Sequence, residues 1–231
     1  LAWKHRWLFP ENETFIKLDF GRSFRPQGSN AELLKYGQLI TDRMTSYGLP
    51  ESTAAVRSEL DAQYLSLLVL FEAHLEQYPY FLGGQPTQAD YSIMGAMHAH
   101  LGRDPAGLRM MQDHAPRTFR WVENMLLPEV QAPEFYDVDI ALLGNDELPE
   151  TAIKILEFLA VNFAETFYRG ARAFEAAIIA AGSNADSLIS QDVDQPILEA
   201  VLIDDRGQEI AHRTSVYAEW VSQRSRIFFQ Q

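Results

Sequence analysis

Cysteine is absent from this 231-residue sequence, and its absence excludes three kinds of chemistry. Without a thiol the chain cannot form a disulfide, bind a metal through thiolates or use a cysteine nucleophile. Positive charge is scarce as well, because Lys and Arg total 19 against 32 Asp and Glu, for a formal net charge of −13. Nucleic acids and anionic membranes attract clustered Lys and Arg, so we expect neither as a partner.

Long hydrophobic runs are also missing. The densest apolar stretch, Leu65 to Phe71, is far shorter than the roughly 20 residues that a membrane-spanning helix requires. The start of the chain lacks the basic head, apolar run and small-residue cleavage site of a signal peptide. We therefore expect a cytoplasmic protein and attach no meaning to the glycosylation tripeptide Asn12-Glu13-Thr14. The composition, 47% hydrophobic and 22% charged, is typical of a folded globular protein.

Several motifs of catalysis and metal binding do not occur, among them G-x-S-x-G, the P-loop, H-E-x-x-H and the EF-hand loop. His98 and His100 are two positions apart, which on a helix points them about 200° apart, so one metal cannot bind both. The paired aspartates lie in polar segments, where nothing desolvates a carboxylate for acid–base work. We predict no metal site and no catalytic residue within this chain.

Helical periodicity is abundant. From Val56 to Tyr78 apolar residues recur three or four positions apart, which predicts one long amphipathic helix over 52–78. Further helices are predicted over 30–47, 87–103, 116–127, 149–182 and 214–228. The helix over 87–103 has apolar or small residues on every side, which is typical of a helix buried on all faces. We predict an all-α fold, a bundle of about six to eight helices built around that helix.

One segment fits a different structure. Residues 199–211 place short apolar runs on both sides of a polar turn that contains Gly207. This pattern is compatible with a small β-hairpin near 199–211 and equally with an ordered loop. Acidic residues concentrate in 129–165 and 186–209, as is usual for solvated faces.

The most specific local pattern is the start of the helix over 87–103. The Thr87 hydroxyl can accept the backbone N–H three residues on, while the Asp90 carboxylate can reach back to the backbone N–H of Thr87. This is a capping box with Asp in place of the usual Glu, and its carboxylate lies at the positive end of the helix dipole. We interpret the pair as a structural device that starts a helix.

A family resemblance is carried by two runs, FLGGQPTQADYSIMGAMHAHLGRDP and HAPRTFRWVENM. They resemble the C-terminal helical domain of glutathione S-transferases, in which a Leu-Gly-Gly turn and a Ser/Thr-x-x-Asp box start the central helix. Thr87 and Asp90 match that box. The opening Lys4-His5-Arg6-Trp7 is similar to the first helix of this domain in a bacterial branch with an extended C-terminal tail. The resemblance implies a glutathione S-transferase C-terminal-like helical domain at 1–148 and a helical C-terminal extension at 149–231, packed on the same domain.

A full transferase also carries a thioredoxin-like domain, which binds glutathione and holds the residue that activates its thiol. No βαβ alternation occurs before residue 52, and the chain begins with Leu1 in place of methionine. We therefore expect either the C-terminal part of a longer protein, without that N-terminal domain, or a domain that lost its partner. The resemblance implies glutathione as co-substrate, a small apolar electrophile as second substrate and a homodimer. The alternative is a non-catalytic dimerisation or protein-interaction module.

The resemblance also nominates substrate-binding residues, because the first helix of the domain lines the cleft for the apolar substrate. We therefore predict contacts from Trp3, His5 and Trp7. Helical spacing places Trp3 and Trp7 on one face, and packing in the core is the alternative role for both.

Two arginines complete the predicted site. Arg22 and Arg25 flank Phe24 in a Gly/Pro/Ser-rich segment that we interpret as a loop. A guanidinium group binds a carboxylate, such as those of glutathione, through two parallel hydrogen bonds. Solvated surface positions are the alternative for both arginines.

Overall fold

A computed structural model describes residues 1–45, 49–182, 197–203 and 209–215. Within these ranges there are eight α-helices: α1 (Ala2–Leu8), α2 (Pro10–Phe24), α3 (Asn30–Thr45), α4 (Ala54–Leu75), α5 (Gln88–Ala96), α6 (Pro105–His114), α7 (Pro116–Met125) and α8 (Glu150–Ala181). A π-helical turn (Met97–Leu101) follows α5, and a 3-10 turn (Pro133–Phe135) follows α7. The strands are β1 (Ile197–Ile203) and β2 (Glu209–Ser215). The chain divides into two compact units, Leu1–Phe158 and Leu159–Gln231.

The predicted all-α class is confirmed, and most predicted helices are present with their ends shifted by a few residues. Helix α4 begins after Thr53, because the Thr53 hydroxyl accepts the Val56 N–H at 3.2 Å. Proline opens α7 at Pro116, where a missing N–H costs no helical hydrogen bond. These ends could be predicted because caps and prolines act locally.

Helix α4 supplies the centre of the core of the first unit. Tyr64, Leu68 and Phe71 are 0–2% exposed, and all three belong to the apolar stripe that predicted this helix. Trp121 of α7 packs on Phe71 with ring centroids 6.2 Å apart, and Met111 of α6 is fully buried. Burying each such side chain contributes about 1.5–3 kcal/mol, so α4 anchors the unit.

Helix α5 differs from its prediction in two ways. It does not run on to Arg103, because the Gly102 N–H bonds to the Met97 carbonyl at 2.5 Å, five residues back, as in a π-helix. It is also not buried on every side. Met94, Met97 and Leu101 face the core, whereas the opposite side is exposed and consists of Tyr91, Ser92, Gly95, Ala96 and Ala99. Small residues on every face made the helix look fully buried, although they also suit an uncovered face.

Helices α2 and α3 pack in close contact. A Cβ added to Gly21 of α2 would lie 2.1 Å from the Leu33 carbonyl oxygen, and one added to Gly37 of α3 would lie 2.1 Å from that of Lys17. The loop prediction around Phe24 is wrong for Arg22, because α2 continues to Phe24 and closes with a hydrogen bond from Arg25 N–H to the Gly21 carbonyl, 2.9 Å. Gly21 therefore permits a helix contact and does not mark a turn.

The C-terminal unit contains two paired strands, as expected for the β-hairpin that was one of the two alternatives for 199–211. Strands β1 and β2 pair antiparallel, with a register from Ile197↔Ser215 to Ile203↔Glu209. The ordered-loop alternative is thereby excluded for these strands. The helix predicted over 214–228 is wrong at its start, because Thr214 and Ser215 lie in β2; the rest of it lies outside the described residues. The packing of the C-terminal extension on the first domain stays a prediction.

None of the described helices combines the length and apolarity needed to cross a membrane.

Candidate functional site

Helix α1 carries the predicted His5, which is a core residue. The imidazole is 0% exposed and stacks on Phe9 with ring centroids 4.0 Å apart. Its Nε2 lies 3.4 Å from Oδ1 of Asp61, and its Nδ1 is buried without a partner among the described residues. A His–Asp pair can move protons only where a substrate reaches it; here the His5 side chain is 1% exposed, whereas the Asp61 side chain is 43% exposed. Substrate contact by His5 stays a prediction that requires neighbouring side chains to move.

The next residue, Arg6, forms the most buried ion pair of the first unit as far as the structure describes it. Its Nε and Nη2 lie 2.7 and 2.9 Å from the two carboxylate oxygens of Asp104. Its Nη2 also donates to the Ala99 carbonyl. The side chains of Arg6 and Asp104 are only 10% and 2% exposed. This two-pronged contact ties α1 to the π-helical turn and to the start of α6.

Asn12 of α2 completes this junction. Its Nδ2 donates to the His5 carbonyl at 3.1 Å, and its Oδ1 accepts the Ala106 N–H at 2.9 Å. Sequence reasoning missed Arg6, Asn12 and Asp104. The one available signal was Asp104-Pro105, because an Asp before a first-turn proline is typical of a helix start.

A cavity of about 300 Å³ opens where α1 meets α2, at the small end of the range for ligand pockets. It is lined by Arg6, Trp7, Leu8, Phe9, Pro10, Glu13, Ile16, Thr41, Ser52 and Arg57. Trp7 is held in the wall by stacking on Phe20, with ring centroids 5.8 Å apart. The apolar wall can therefore hold a small aromatic or aliphatic molecule against a fixed indole ring.

Arg57 adds a positive charge to this cavity. Its Nη1 donates to the carbonyl and hydroxyl oxygens of Ser52 at 2.6 and 2.8 Å, and the Ser52 hydroxyl donates to the Leu8 carbonyl at 2.5 Å. Within the described part of the chain these partners are uncharged, so no carboxylate neutralises Arg57. Glu13, the acidic residue in the lining, pairs with Lys17. The cavity thus combines an apolar wall with a cation that can pair with a polar or anionic substituent.

The other predicted site residues lie elsewhere. Trp3 is partly buried on α1 and is not among the residues that line the cavity. Arg25 is exposed, with its guanidinium group 5.4 Å above the ring of Tyr36. Arg22 is exposed in the last turn of α2. Of the five predicted substrate-binding residues the structure brings only Trp7 into the cavity; the roles of the others stay predictions.

Asp90 organises the turn before α5 as well as the helix start. The side chain is 0% exposed. One carboxylate oxygen accepts the Thr87 backbone N–H and the Thr87 hydroxyl, both at 2.8 Å. The other oxygen accepts the Phe81 N–H at 2.9 Å. The structure thus contains the capping-box geometry and adds a bond to the preceding turn, which local spacing did not indicate.

A second buried histidine joins three parts of the first unit. His74 of α4 is 0% exposed; its Nε2 lies 3.2 Å from the Tyr80 carbonyl and its Nδ1 2.8 Å from the Thr151 hydroxyl. Because a carbonyl can only accept, Nε2 carries the proton and Nδ1 accepts from Thr151. The described residues contain no group of three or more His, Asp or Glu that could bind a metal ion.

These histidines predict a loss of stability in mild acid. Burial lowers the pKa of His5, His74 and His100 from the ordinary value of 6.5. The unfolded chain therefore takes up protons first, so stability is fully present above pH 6.5 and is lost as the pH falls below that value. Urea unfolding between about pH 7.5 and pH 5 should show this decrease, at up to about 1.4 kcal/mol per pH unit for each histidine.

Two matched variants test whether His74 contributes to this pH dependence of stability. His74→Gln keeps a donor for Tyr80 and an acceptor for Thr151 without a titrating ring, so it should reduce the dependence of stability on pH. His114→Gln, at an exposed position, should leave it unchanged. A stability that stays constant or rises on acidification would contradict the prediction.

The described helices of the first unit form an all-helical domain. The comparison with protein families agrees: residues 36–127 match the model of the C-terminal domain of glutathione S-transferase. Residues 36–127 are therefore similar to a glutathione S-transferase C-terminal helical domain, as the resemblance at Thr87 and Asp90 predicted. Helices α1 and α2 lie before the matched residues, so the cavity draws on both sides of the boundary. No curated protein and no solved structure matches the chain.

Proposed function

We propose that this chain binds the apolar electrophile of a glutathione transferase reaction in the cavity between α1 and α2. Glutathione is the co-substrate, and the group that activates its thiol lies outside this chain. In that reaction the thiolate sulfur attacks an electrophilic carbon, forms a C–S bond and displaces a leaving group. The observation that carries the proposal is an apolar cavity with a fixed indole wall and a cation without a carboxylate partner among the described residues.

The lining residues have separate roles in this proposal. Trp7, Phe9 and Ile16 exclude water and hold the apolar body of the electrophile. Arg57 pairs with an electron-withdrawing substituent, such as a nitro group or a carbonyl oxygen, because a guanidinium group favours partial negative charge. Such substituents make the neighbouring carbon electrophilic, so the same contact selects the substrate and orients it.

The exposed side of α5 offers a surface on which an additional domain could pack. Tyr91 is 57% exposed, and Gly95, with no atom within 4 Å of an added Cβ, is part of the exposed side. Small side chains let another element approach the backbone closely. A thioredoxin-like domain that covers this side would bring glutathione to the helical domain. The same side also favours the second candidate function, a non-catalytic module that dimerises or binds another protein.

The first experiment uses the purified 231-residue chain. We expect no conjugation of glutathione to a chlorodinitrobenzene, because we place the activating group outside this chain. We expect binding of the unreactive analogue dinitrobenzene, measured by calorimetry. Trp7→Ala should weaken that binding at least about fivefold, since an aromatic contact of this kind contributes about 1 kcal/mol beyond its area. Arg57→Gln should weaken binding of dinitrobenzene but not of benzene.

Two controls make the result decisive. Trp3→Ala changes the other tryptophan of α1, which lines no part of the cavity, and should retain the affinity. Thr41→Phe fills the cavity from α3 and should abolish binding while circular dichroism reports an intact fold. Clear turnover by this chain alone would overturn the proposed division of labour, and full affinity in Trp7→Ala would overturn the proposed cavity.

Retention on immobilised glutathione distinguishes the second candidate function from the first. We propose a cytoplasmic homodimer for both functions. Light scattering of the purified protein can test whether it is a dimer. The conjugating enzyme, with its thioredoxin-like domain, is expected to be retained on the glutathione matrix. A non-catalytic module is expected to pass through in every form, even though it still dimerises.

A further inference from the structure

A second and larger cavity lies in the first unit, between the C-terminal end of α4, helix α7 and the 3-10 turn at Pro133–Phe135. Its volume is about 500 Å³, within the range of ligand pockets. Its apolar lining consists mainly of Leu75, Pro79, Pro116, Trp121, Ala132 and Phe135. It shares no lining residue with the cavity between α1 and α2, so a function of this cavity does not depend on the proposed electrophile site.

Exposed apolar side chains adjoin the cavity lining along the chain. They belong to the segment 126–142, which supplies part of that lining through Ala132 and Phe135. Tyr136 directly follows Phe135 and is 92% exposed. The other exposed large apolar residues of the segment are Leu126, Leu127, Val130, Val138, Ile140 and Leu142. Exposed apolar surface next to a cavity is typical of a site of interaction.

The backbone of this segment is held in place, although its side chains are uncovered. The Tyr80 hydroxyl donates to the Gln131 carbonyl at 2.7 Å. Further along, the Gly84 N–H donates to the Ala141 carbonyl at 2.7 Å. Both bonds tie the segment to the turn that follows α4. A surface that is formed before binding lowers the entropy cost of association.

The surface around the cavity is acidic. Its two lining arginines are half-exposed and lie between 3.4 and 3.6 Å from four carboxylates, with Arg117 near Glu72 and Glu76, and Arg120 near Glu123 and Glu134. The segment 126–142 contains no Lys, Arg or His. It adds the exposed carboxylates of Glu129, Asp137 and Asp139, for which the described residues provide no ion pair. Carboxylates therefore outnumber cations here, and the surface attracts positive charge.

This charge selects the occupant of the surface. In a two-fold dimer a second copy of the chain would place the same surface against itself, so that the carboxylates of the two copies would repel each other. A small uncharged ligand in the cavity would leave the exposed apolar side chains of 126–142 uncovered. A protein segment that is both apolar and basic matches the cavity, the apolar side chains and the charge.

We propose that the cavity and the segment 126–142 together bind a basic, apolar segment of a partner protein. One large apolar side chain of the partner fills the cavity and packs on Leu75 and Phe135. Lys or Arg residues on both sides of it pair with Glu129 and Asp137, which flank the lining residues 131–135 along the chain.

Four synthetic peptides with capped ends separate the contribution of charge from that of the apolar anchor: RKWLKR, QQWLQQ, EEWLEE and RKAAKR. In calorimetric titration of the full chain at low salt, RKWLKR should bind about tenfold more tightly than QQWLQQ, because several exposed ion pairs each contribute a small part. EEWLEE should not bind. RKAAKR should bind about fivefold more weakly than RKWLKR, since its anchor is lost. Raising the salt from about 50 to about 300 mM should weaken RKWLKR at least about threefold, because salt screens exposed charges.

Two double variants locate the charge that the peptide recognises. Glu129→Gln with Asp137→Asn should weaken RKWLKR at least about threefold, as expected for the loss of two exposed ion pairs. Glu11→Gln with Asp42→Asn makes the same two changes at exposed positions in α2 and α3 and should retain the affinity. All four positions are exposed, so we expect both variants to fold.

Two further variants locate the anchor. Ala132→Leu narrows the cavity and should reduce the affinity for RKWLKR towards that for RKAAKR. Thr41→Phe fills the cavity between α1 and α2 instead and should leave peptide binding unchanged.

Three results would overturn the proposal. One is equal affinity of the wild-type chain for RKWLKR and QQWLQQ. Another is equal affinity of the two double variants for RKWLKR, which would show attraction to the net charge of the chain alone. The last is dissociation of a dimer of this chain by RKWLKR, followed by light scattering, because the surface would then belong to a second copy.

Discussion

Replacing Asp90 with alanine is expected to lower the free energy of unfolding by about 3 kcal/mol or more. The substitution removes the acceptor of three hydrogen bonds, from the Phe81 N–H, the Thr87 N–H and the Thr87 hydroxyl. A helix cap alone contributes about 1 kcal/mol. The further cost arises because Asp90 is fully buried, so the abandoned donors cannot bond to water, at about 1–3 kcal/mol each.

A graded set of variants checks this expectation by urea unfolding followed with circular dichroism. Asp90→Asn retains one acceptor oxygen and should fall between the wild-type protein and Asp90→Ala. Thr87→Ser retains the hydroxyl and should lose little. Gln88→Ala, at the exposed start of α5, should change the free energy by no more than about 0.5 kcal/mol. If Asp90→Ala lost no more than Gln88→Ala, the turn before α5 would not depend on this carboxylate.

The second large effect is expected at the ion pair between Arg6 and Asp104. Asp104→Ala should lower the free energy of unfolding by about 3–5 kcal/mol, because it leaves a guanidinium group in a nearly dry site. The side chains of Arg6 and Asp104 are 10% and 2% exposed, so water compensates little. Asp104 also precedes the first turn of α6, but its side chain makes no capping hydrogen bond there, so the expected loss comes from the ion pair.

A double-mutant cycle that includes the single variants Arg6→Met and Asp104→Leu separates the pair from its surroundings. Removing both charges in Arg6→Met with Asp104→Leu should restore a large part of the stability, since no charge is then buried without a partner. The comparison pair is Lys154 and Glu150 of α8, whose side chains are 54% and 81% exposed. Lys154→Ala should cost less than about 0.5 kcal/mol. Equal losses at the two pairs would show that burial does not strengthen the dependence on Arg6.

The features that could be predicted from the sequence are those that depend on neighbours along the chain. Thr53, Thr87 and Pro116 start helices through contacts within one turn. The stripe through Tyr64 and Phe71 predicted both a helix and its buried face, because helical periodicity is itself local.

The features that could not be predicted join distant parts of the chain. Arg6 and Asp104 are separated by 98 positions, so nothing in the opening residues indicates their partner. Arg57 enters the cavity between α1 and α2 because α1 packs beside α4. The burial of helix α5 could not be predicted from the sequence either. Small residues such as Gly95 and Ala99 fit a buried helix and an uncovered face equally well, and only packing decides between them.

The buried amide of Asn12 determines whether this chain can fold after it has passed through a secretory pathway. Asn12 begins the tripeptide Asn12-Glu13-Thr14, whose pattern is that of an acceptor for N-linked sugar. The sugar would be attached to Nδ2, the atom that donates to the His5 carbonyl in a side chain with 0% exposure. A sugar at this position and the packed junction of α1, α2 and α6 therefore exclude each other. Chains sent through a secretory pathway would fold only where Asn12 escapes the modification, whereas Asn12→Ser would remove the acceptor only at the cost of the bonds that join α1 to α6.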